Sequence, residues 1–309
     1  MPAHETHQWP NHLPPTARGG ILSRRNVLAE ARTIHFAVPR LRPHAPTMTE
    51  QIRFNDGAGY DRYMGEWSRL AGAAFLEWLD PEKNLRWLDV GCGSGAFTEM
   101  LVARCAPASV DGIDPSAEQL AFARARVASP AVRFDLGDAT AVPFPDNVFD
   151  AAVMPLVIFF VSDPAAGVAE LARVVRPGGL VAAYAWDMPG GGFPYEALKI
   201  EMRGLNVIVP EAPSPGASRM DVMRDLWTGA GLDAVDTREI VVRRVFADFD
   251  EYWTVIFGSP SFGPKLAAMS AADLALLESR MRARLPADAN GRITCIARAN
   301  AISGRVVMG

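Results

Sequence analysis

Between residues 86 and 186, short apolar runs alternate with segments of helical period, an order that few folds accept. Arg86–Gly91, Val110–Asp114, Val132–Leu136, Phe149–Pro155 and Leu180–Trp186 read as strands. Between them Ala96–Arg104 reads as a helix, and Ser116 with Gln119 three residues later forms a capping box that opens another. Asp163-Pro164 supplies a capping acid and a proline at the first helical position, and Arg176-Pro177-Gly178-Gly179 reads as the stop of that helix. Strands separated by helices predict a mostly parallel sheet covered on both faces, a doubly wound α/β domain. Upstream, Trp67, Leu70, Ala74, Phe75 and Trp78 recur at helical spacing over 66–79. Beyond Asp187 the order loosens. Gly190-Gly191-Gly192 and the proline-rich stretch 210–215 mark loops, with helices expected near 219–230 and 270–285 and strands near 236–246 and 292–300.

Several chemistries are excluded by what the chain lacks. All five histidines (His4, His7, His12, His35 and His44) precede Met48. A site in the α/β body therefore has no histidine as base, nucleophile activator or metal ligand, which rules out Ser-His-Asp hydrolysis, H-E-x-x-H metalloproteases and zinc deaminases there. Cys92, Cys105 and Cys295 are odd in number and widely spaced, so neither a disulfide framework nor a cysteine metal site is expected, and a reducing, cytoplasmic setting is. The net charge of −4 gives no electrostatic footprint for nucleic acid. No apolar run approaches the roughly 18 residues of a membrane span.

Residues 1–47 differ from the rest. They hold seven prolines, six arginines and only Glu5 and Glu30 as acids, a charge of about +4 against about −8 for the remainder. Ser23-Arg24-Arg25-Asn26-Val27-Leu28 is similar to a twin-arginine export string, but Glu30, Arg32 and His35 interrupt the apolar stretch such a signal needs. The expectation is a disordered leader over 1–47, with Met48 as the natural start of a single domain over 48–309.

The string Leu88-Asp89-Val90-Gly91-Cys92-Gly93-Ser94-Gly95 sits where a strand turns into a helix. Glycines there allow a tight bend and a close approach to a ligand, at the carboxyl end of a strand where such sheets bind cofactors. With Asp114 about twenty residues on, the spacing also fits a dinucleotide fingerprint. Two acids favour another ligand. Asp89 beside the loop would repel a pyrophosphate but suits a cofactor carrying a sulfonium and an ammonium group, and Asp138 follows the third strand, where an acceptor can read an adenine amino group. The structural alternatives stay open: Asp89 as a helix cap, Asp138 as a turn residue in Asp-Ala-Thr, Asp114-Pro115-Ser116 as a helix start.

LDVGCGSG, VDGIDPS, GDATAVPFPDNVFDAAV and RVVRPGG, in that order, resemble the methyltransferase type 11 group of class I S-adenosylmethionine-dependent methyltransferases. The resemblance is close over about 86–185. It implies a Rossmann-like, seven-stranded sheet with an antiparallel C-terminal strand, a cofactor core over about 86–187 and an acceptor-covering part over about 188–309. It implies S-adenosyl-L-methionine as cofactor and no metal. Gly91 and Gly93 would form the turn under the methionine part and Asp89 would orient its amino group. Asp114 would take the ribose hydroxyls, Ile113 and Pro115 would flank the adenine, and Asp138 with the Ala139 amide would read its edge. Backbone at Pro155 and Leu156 would meet the methionine amino end. Tyr60, Tyr63 and Arg69 are candidates to cover the methionine carboxylate, Arg69 foremost because a guanidinium engages two oxygens. Many relatives carry a histidine pair after the fourth strand, where this chain has Phe159-Phe160. Those two with Trp186, Phe193, Tyr195 and Trp253 are candidates for an apolar acceptor pocket, or ordinary core. The expected activity is methyl transfer to a small-molecule acceptor, without nucleic acid or membrane partners. The alternatives are a non-catalytic S-adenosylmethionine-binding protein and a nicotinamide-dependent oxidoreductase.

Overall fold

A computed structural model describes residues 61–308. The expected leader, the boundary at Met48 and Tyr60 lie outside the described residues.

Seven strands form one sheet in the order β3-β2-β1-β4-β5-β7-β6. They are β1 (Arg86–Val90), β2 (Ser109–Asp114), β3 (Val132–Leu136), β4 (Phe149–Pro155), β5 (Val175–Trp186), β6 (Leu232–Phe246) and β7 (Ile293–Val306). The first five are mutually parallel, and β7 runs antiparallel to both its neighbours, β5 and β6. The chain steps outward from β1 to β3, then crosses to β4 and steps the other way. Because parallel crossovers are right-handed, that reversal puts the helices before it and those after it on opposite faces. Helices α1 (Glu66–Leu79), α2 (Ala96–Cys105) and α3 (Ala117–Arg126) pack along one another, α4 (Pro164–Val174) against α6 (Met220–Gly229). Four shorter or later helical segments complete the α set: α5 (Glu196–Gly204), α7 (Phe249–Phe257), α8 (Gly263–Ala267) and α9 (Ala271–Arg284).

Local chemistry explains most boundaries. The Ser116 side chain accepts the Gln119 amide at 3.2 Å and opens α3; Asp163 accepts the Ala166 amide at 3.1 Å, with Pro164 at the first position of α4. Strand β4 is buried at almost every position, as a central parallel strand must be. Strand β5 departs from expectation by starting at Val175 rather than Leu180. Pro177 and Gly178, the latter at φ +74°, lie inside it, and the register with β4 slips between Phe149 and Ala151. The expected helix stop is thus a strand irregularity that follows the helix end without a loop.

The core is built on large aromatics, two of whose indoles are hydrogen-bonded, while the Trp87 indole has no partner among the described residues. Trp67, Trp87, Trp186 and Trp227 are buried. The Trp227 indole donates to the Val181 carbonyl at 3.1 Å, and the Trp67 indole to the Tyr195 hydroxyl at 3.0 Å. At the amino end of the strands Asp150 accepts from Arg86 Nε at 3.1 Å and Arg176 Nε at 2.7 Å, tying β1, β4 and β5 together away from the carboxyl edge.

Candidate functional site

The carboxyl ends of β3, β2, β1 and β4 stand side by side, and each delivers residues singled out in the sequence. Where β1 ends, Gly91 takes φ +72° and Gly93 φ +53°, conformations that L side chains rarely adopt. Their reasons differ. A Cβ on Gly91 would stand 2.5 Å from Val157 Cγ2, so this glycine lets the chain after β4 close on the loop. A Cβ on Gly93 would meet nothing within 4 Å, so this glycine leaves open space beside the backbone. The loop is held from β2, because the Gly91 and Cys92 amides donate to the Ile113 carbonyl at 2.8 and 3.0 Å.

Two carboxylates flank that opening. Asp89 is fully buried on β1; its Oδ2 accepts the Thr98 hydroxyl of α2 at 2.6 Å, and its Oδ1 has no hydrogen-bond partner among the described residues. Burial pushes its carboxyl up to about 7, against the opposing Thr98 bond and with a further upward push from the Asp114 charge. Asp114, at the tip of β2, accepts the Gly93 amide at 3.0 Å and the Ser116 amide at 2.9 Å. Burial raises its carboxyl above the usual range while those two amides pull it back. Asp114 is therefore fixed to the glycine loop on one side and the start of α3 on the other.

Next along the edge, Ile113 is buried and Pro115 exposed. Beyond β3, Asp138 is exposed, and one oxygen accepts both the Thr140 amide at 2.7 Å and its hydroxyl at 2.6 Å, which holds the carboxyl below its ordinary range. Asp138 thus forms the Asp-Ala-Thr turn through one oxygen, with Ala139 inside that turn. Past β4, Leu156 takes φ +60°, a strained geometry for a leucine, with its amide donating to the Tyr184 carbonyl at 2.7 Å. Pro155 and Leu156 come next to Gly91, because Asp89 pairs with Val153 in the β1–β4 register.

The cover does not assemble as expected. Arg69 stands on the exposed side of α1, opposite the buried Trp67 and Ala71, and its guanidinium pairs with Glu66. It is not brought to the glycine loop, because two residues on a helix turn a side chain by about 200°. Tyr63 is buried and stacks on Tyr195 with ring centroids 4.6 Å apart. The Tyr195 hydroxyl donates to the Tyr63 carbonyl at 2.9 Å and accepts the Trp67 indole; burial pushes it up to about 12, so it stays protonated.

The six aromatic candidates fall into separate groups. Phe159 and Phe160 pack together at 4.6 Å in the turn after β4, and Trp186 is buried at the end of β5. Phe193 and Tyr195 meet edge to face at 6.0 Å, while Trp253 stacks on Phe249 at 5.6 Å. Tyr195 is the hub of a larger cluster that includes Tyr252 at 6.2 Å and Phe262 at 6.5 Å, which sequence reasoning missed. Missed too was Arg244, whose Nη1 lies 3.4 Å from both the Tyr63 carbonyl and the Tyr195 hydroxyl. Its signal was available: Ile240, Val242, Arg244 and Phe246 share one face of β6, and an arginine breaks that apolar alternation. Among the described residues no group of three or more His, Cys, Asp or Glu could hold a metal ion, and no helix is long and apolar enough to cross a membrane.

Residues 88–183 match the family model described as "Methyltransferase domain". They form a class I S-adenosylmethionine-dependent methyltransferase domain. The methyltransferase domain covers Asp89, the glycine loop, Asp114, Asp138 and the end of β4 within a single match. The chain is 35% identical over 130 residues to malonyl-(acyl-carrier protein) O-methyltransferase of Pectobacterium atrosepticum, covering 42% of this chain and 49% of that protein. It is 29% identical over 249 residues to trans-aconitate 2-methyltransferase of Methylobacterium nodulans, covering 77% of this chain and 93% of that one. The chain spans about a third to a half of the length of several curated relatives it matches, 32% and 49% for two of them. In fold it is similar to phosphoethanolamine N-methyltransferase 2 of Haemonchus contortus in complex with S-adenosyl-L-methionine, with TM-score 0.53, 18% identity, and coverage of 83% of this chain and 58% of that one.

Proposed function

We propose that this chain transfers a methyl group from S-adenosylmethionine to a small-molecule acceptor. The observation that carries the reading is the pairing of Asp89, buried with one oxygen unclaimed, with an open glycine loop at the end of the same strand. A buried carboxylate with a spare oxygen suits an ammonium group, and would work against a pyrophosphate. When bound, the cofactor supplies an electrophilic methyl on a sulfonium, a leaving group that departs neutral.

The chain's own residues bind and align. Asp89 orients the amino group, the Gly91–Gly93 backbone lies under the methionine part, and Asp114 takes the ribose hydroxyls. Ile113 and Pro115 flank the adenine, with Asp138 and the Ala139 amide at its edge and backbone at Pro155 and Leu156 near the amino end. No histidine follows His44 in sequence, and the acids at this edge are engaged with the loop or the cofactor. Rate enhancement then comes mainly from holding the two reactants in line, which supplies several kcal/mol without proton transfer by the protein. The acceptor's proton leaves to water. The trans-aconitate specificity in the name of the Methylobacterium relative supports a small acceptor.

Calorimetry with S-adenosylhomocysteine, NAD and NADP tests the cofactor, and a labelled cofactor incubated with a metabolite extract tests transfer. NAD binding without S-adenosylhomocysteine binding ends this reading; cofactor binding without any methylated product favours a non-catalytic binding protein. Residues 1–47 are assigned no part in it, so a chain beginning at Met48 should match the full chain in melting temperature and S-adenosylhomocysteine affinity.

A further inference from the structure

The guanidinium of Arg244 is half-buried and has no carboxylate partner among the described residues. Its contacts are two long hydrogen bonds of 3.4 Å and the face of Phe246, 4.4 Å from the ring centroid. Other partly buried arginines are neutralised. Arg173 pairs with Glu170 and Asp146, both at 2.7 Å, and Arg298 with Asp187 at 2.8 Å. In a cleft of about 470 Å³ near the start of α6, Arg219 and Arg298 are likewise paired, with Asp221 and Asp187. Withdrawing a cation from water without an anion beside it is costly, and a fold that keeps one is holding it for something.

Its position says for what. Arg244 pairs with Cys295 across the β6–β7 ladder, whereas the last residue of β5, Trp186, pairs with Ala299. Arg244 therefore stands four residues, about 13 Å, beyond the carboxyl end of β5, on an arm of two strands. It shares the inward face of that arm with Phe246 and meets Tyr195 from the segment after β5.

We infer that Arg244 is a specificity residue of the acceptor site and reads a carboxylate on a small acceptor with an apolar or planar body. This rests on the methyltransferase reading above. A planar fork matches a planar carboxylate, and one guanidinium balances one charge. The Tyr195 hydroxyl, already donated to Tyr63, leaves Arg244 to supply the donors.

The full chain loaded with S-adenosylhomocysteine is titrated with benzoate, cinnamate and crotonate, each beside its primary amide, using ligand-observed NMR. At least one acid should bind tenfold or more tightly than its amide. R244Q should abolish that preference, R244K should keep part of it, and both should bind S-adenosylhomocysteine as the parent does. With an acid that is turned over, R244Q should raise KM tenfold or more and change kcat less than threefold. Equal binding of acids and amides by the parent overturns the inference even if no variant folds, as does failure of every acid to bind. Retention of the acid preference in R244Q overturns it too. A tenfold loss of S-adenosylhomocysteine affinity in R244Q would place Arg244 on the cofactor instead, and overturns it likewise. Absence of S-adenosylhomocysteine binding by the parent defeats the methyltransferase reading, which keeps the two failures distinct.

Discussion

Thr98 on α2 donates its hydroxyl to Asp89 on β1 at 2.6 Å, and among the described residues nothing donates to the other Asp89 oxygen. Because burial raises this carboxyl from 3.8 to about 7, the folded chain holds a proton that the unfolded chain has lost. The unliganded protein is therefore stabilised below about pH 4, and this contribution is lost as pH rises through about 7. Asp89→Asn should flatten that part of the pH dependence of the melting temperature. An ammonium group needs the ionised form, so kcat/KM for the cofactor should rise through pH 7 in the parent while kcat stays flat. A parent whose kcat/KM is level from pH 6 to 8 would sever Asp89 from cofactor binding.

Asp114→Ala removes more than a ribose contact, because the Asp114 carboxylate also takes the Gly93 and Ser116 amides. The variant should lose about 1–3 kcal/mol in S-adenosylhomocysteine binding, the range for hydrogen bonds to a charged group. Calorimetry measures that loss. Asp114→Asn, which keeps the shape, should lose less.

Tyr195→Phe deletes a single oxygen that serves Trp67, Tyr63 and Arg244. The buried Trp67 indole is left without its acceptor, and urea unfolding should report a loss of about 1–3 kcal/mol. Paired with R244Q in a double-mutant cycle, it should show coupling, since the two groups touch.

Gly91→Ala is a test of close approach. The added Cβ would sit 2.5 Å from Val157 Cγ2 at a positive φ, so the loop and the turn after β4 have to separate. Cofactor affinity should fall tenfold or more while the far-UV circular dichroism is unchanged, because the strands themselves are untouched. Gly93→Ala meets no atom within 4 Å but keeps a positive φ of +53°, so the unliganded fold should lose only the backbone strain of about 1–2 kcal/mol, with a further loss on titration with cofactor.

What could be read in the sequence follows from how local its causes are. The bounds of β3 and β4 were legible to the residue: β4 is buried at nearly every position and reads as an apolar run, while β3, at the sheet edge, alternates apolar with charged residues and buries only Phe134. Ser116 and Asp163 marked helix starts because capping is a matter of three or four neighbouring residues. The end of α4 was harder: Pro177 and Gly178 carry a stop signal by composition, and only pairing with β4 makes them part of a strand. Helix α5 went unread because it buries Lys199 beside Leu198 and Met202, which blurs its apolar stripe. Asp89, Gly91 and Gly93 come from one motif and Asp114 from the next, and the pairing of adjacent parallel strands brings them to one edge. The placement of Tyr63 and Arg69 was not legible, because the facing of α1 depends on Tyr195, more than a hundred residues away. Arg244 lay further still from any motif.

The sheet order has a consequence for how the chain is made. Strand β7 follows β6 in sequence yet lies between β6 and β5. Until a ribosome has delivered β7, β5 exposes one open edge and β6 has no partner at all. A nascent chain can complete the parallel half with its cofactor loops early, but the arm that bears Arg244 cannot exist before translation passes residue 306. On the proposed reading, the cofactor half and the acceptor-reading arm are thus completed at different times in the protein's biogenesis. A stalled or truncated translation product would carry the first without the second, with one edge of β5 and both edges of β6 unpaired and open to aggregation.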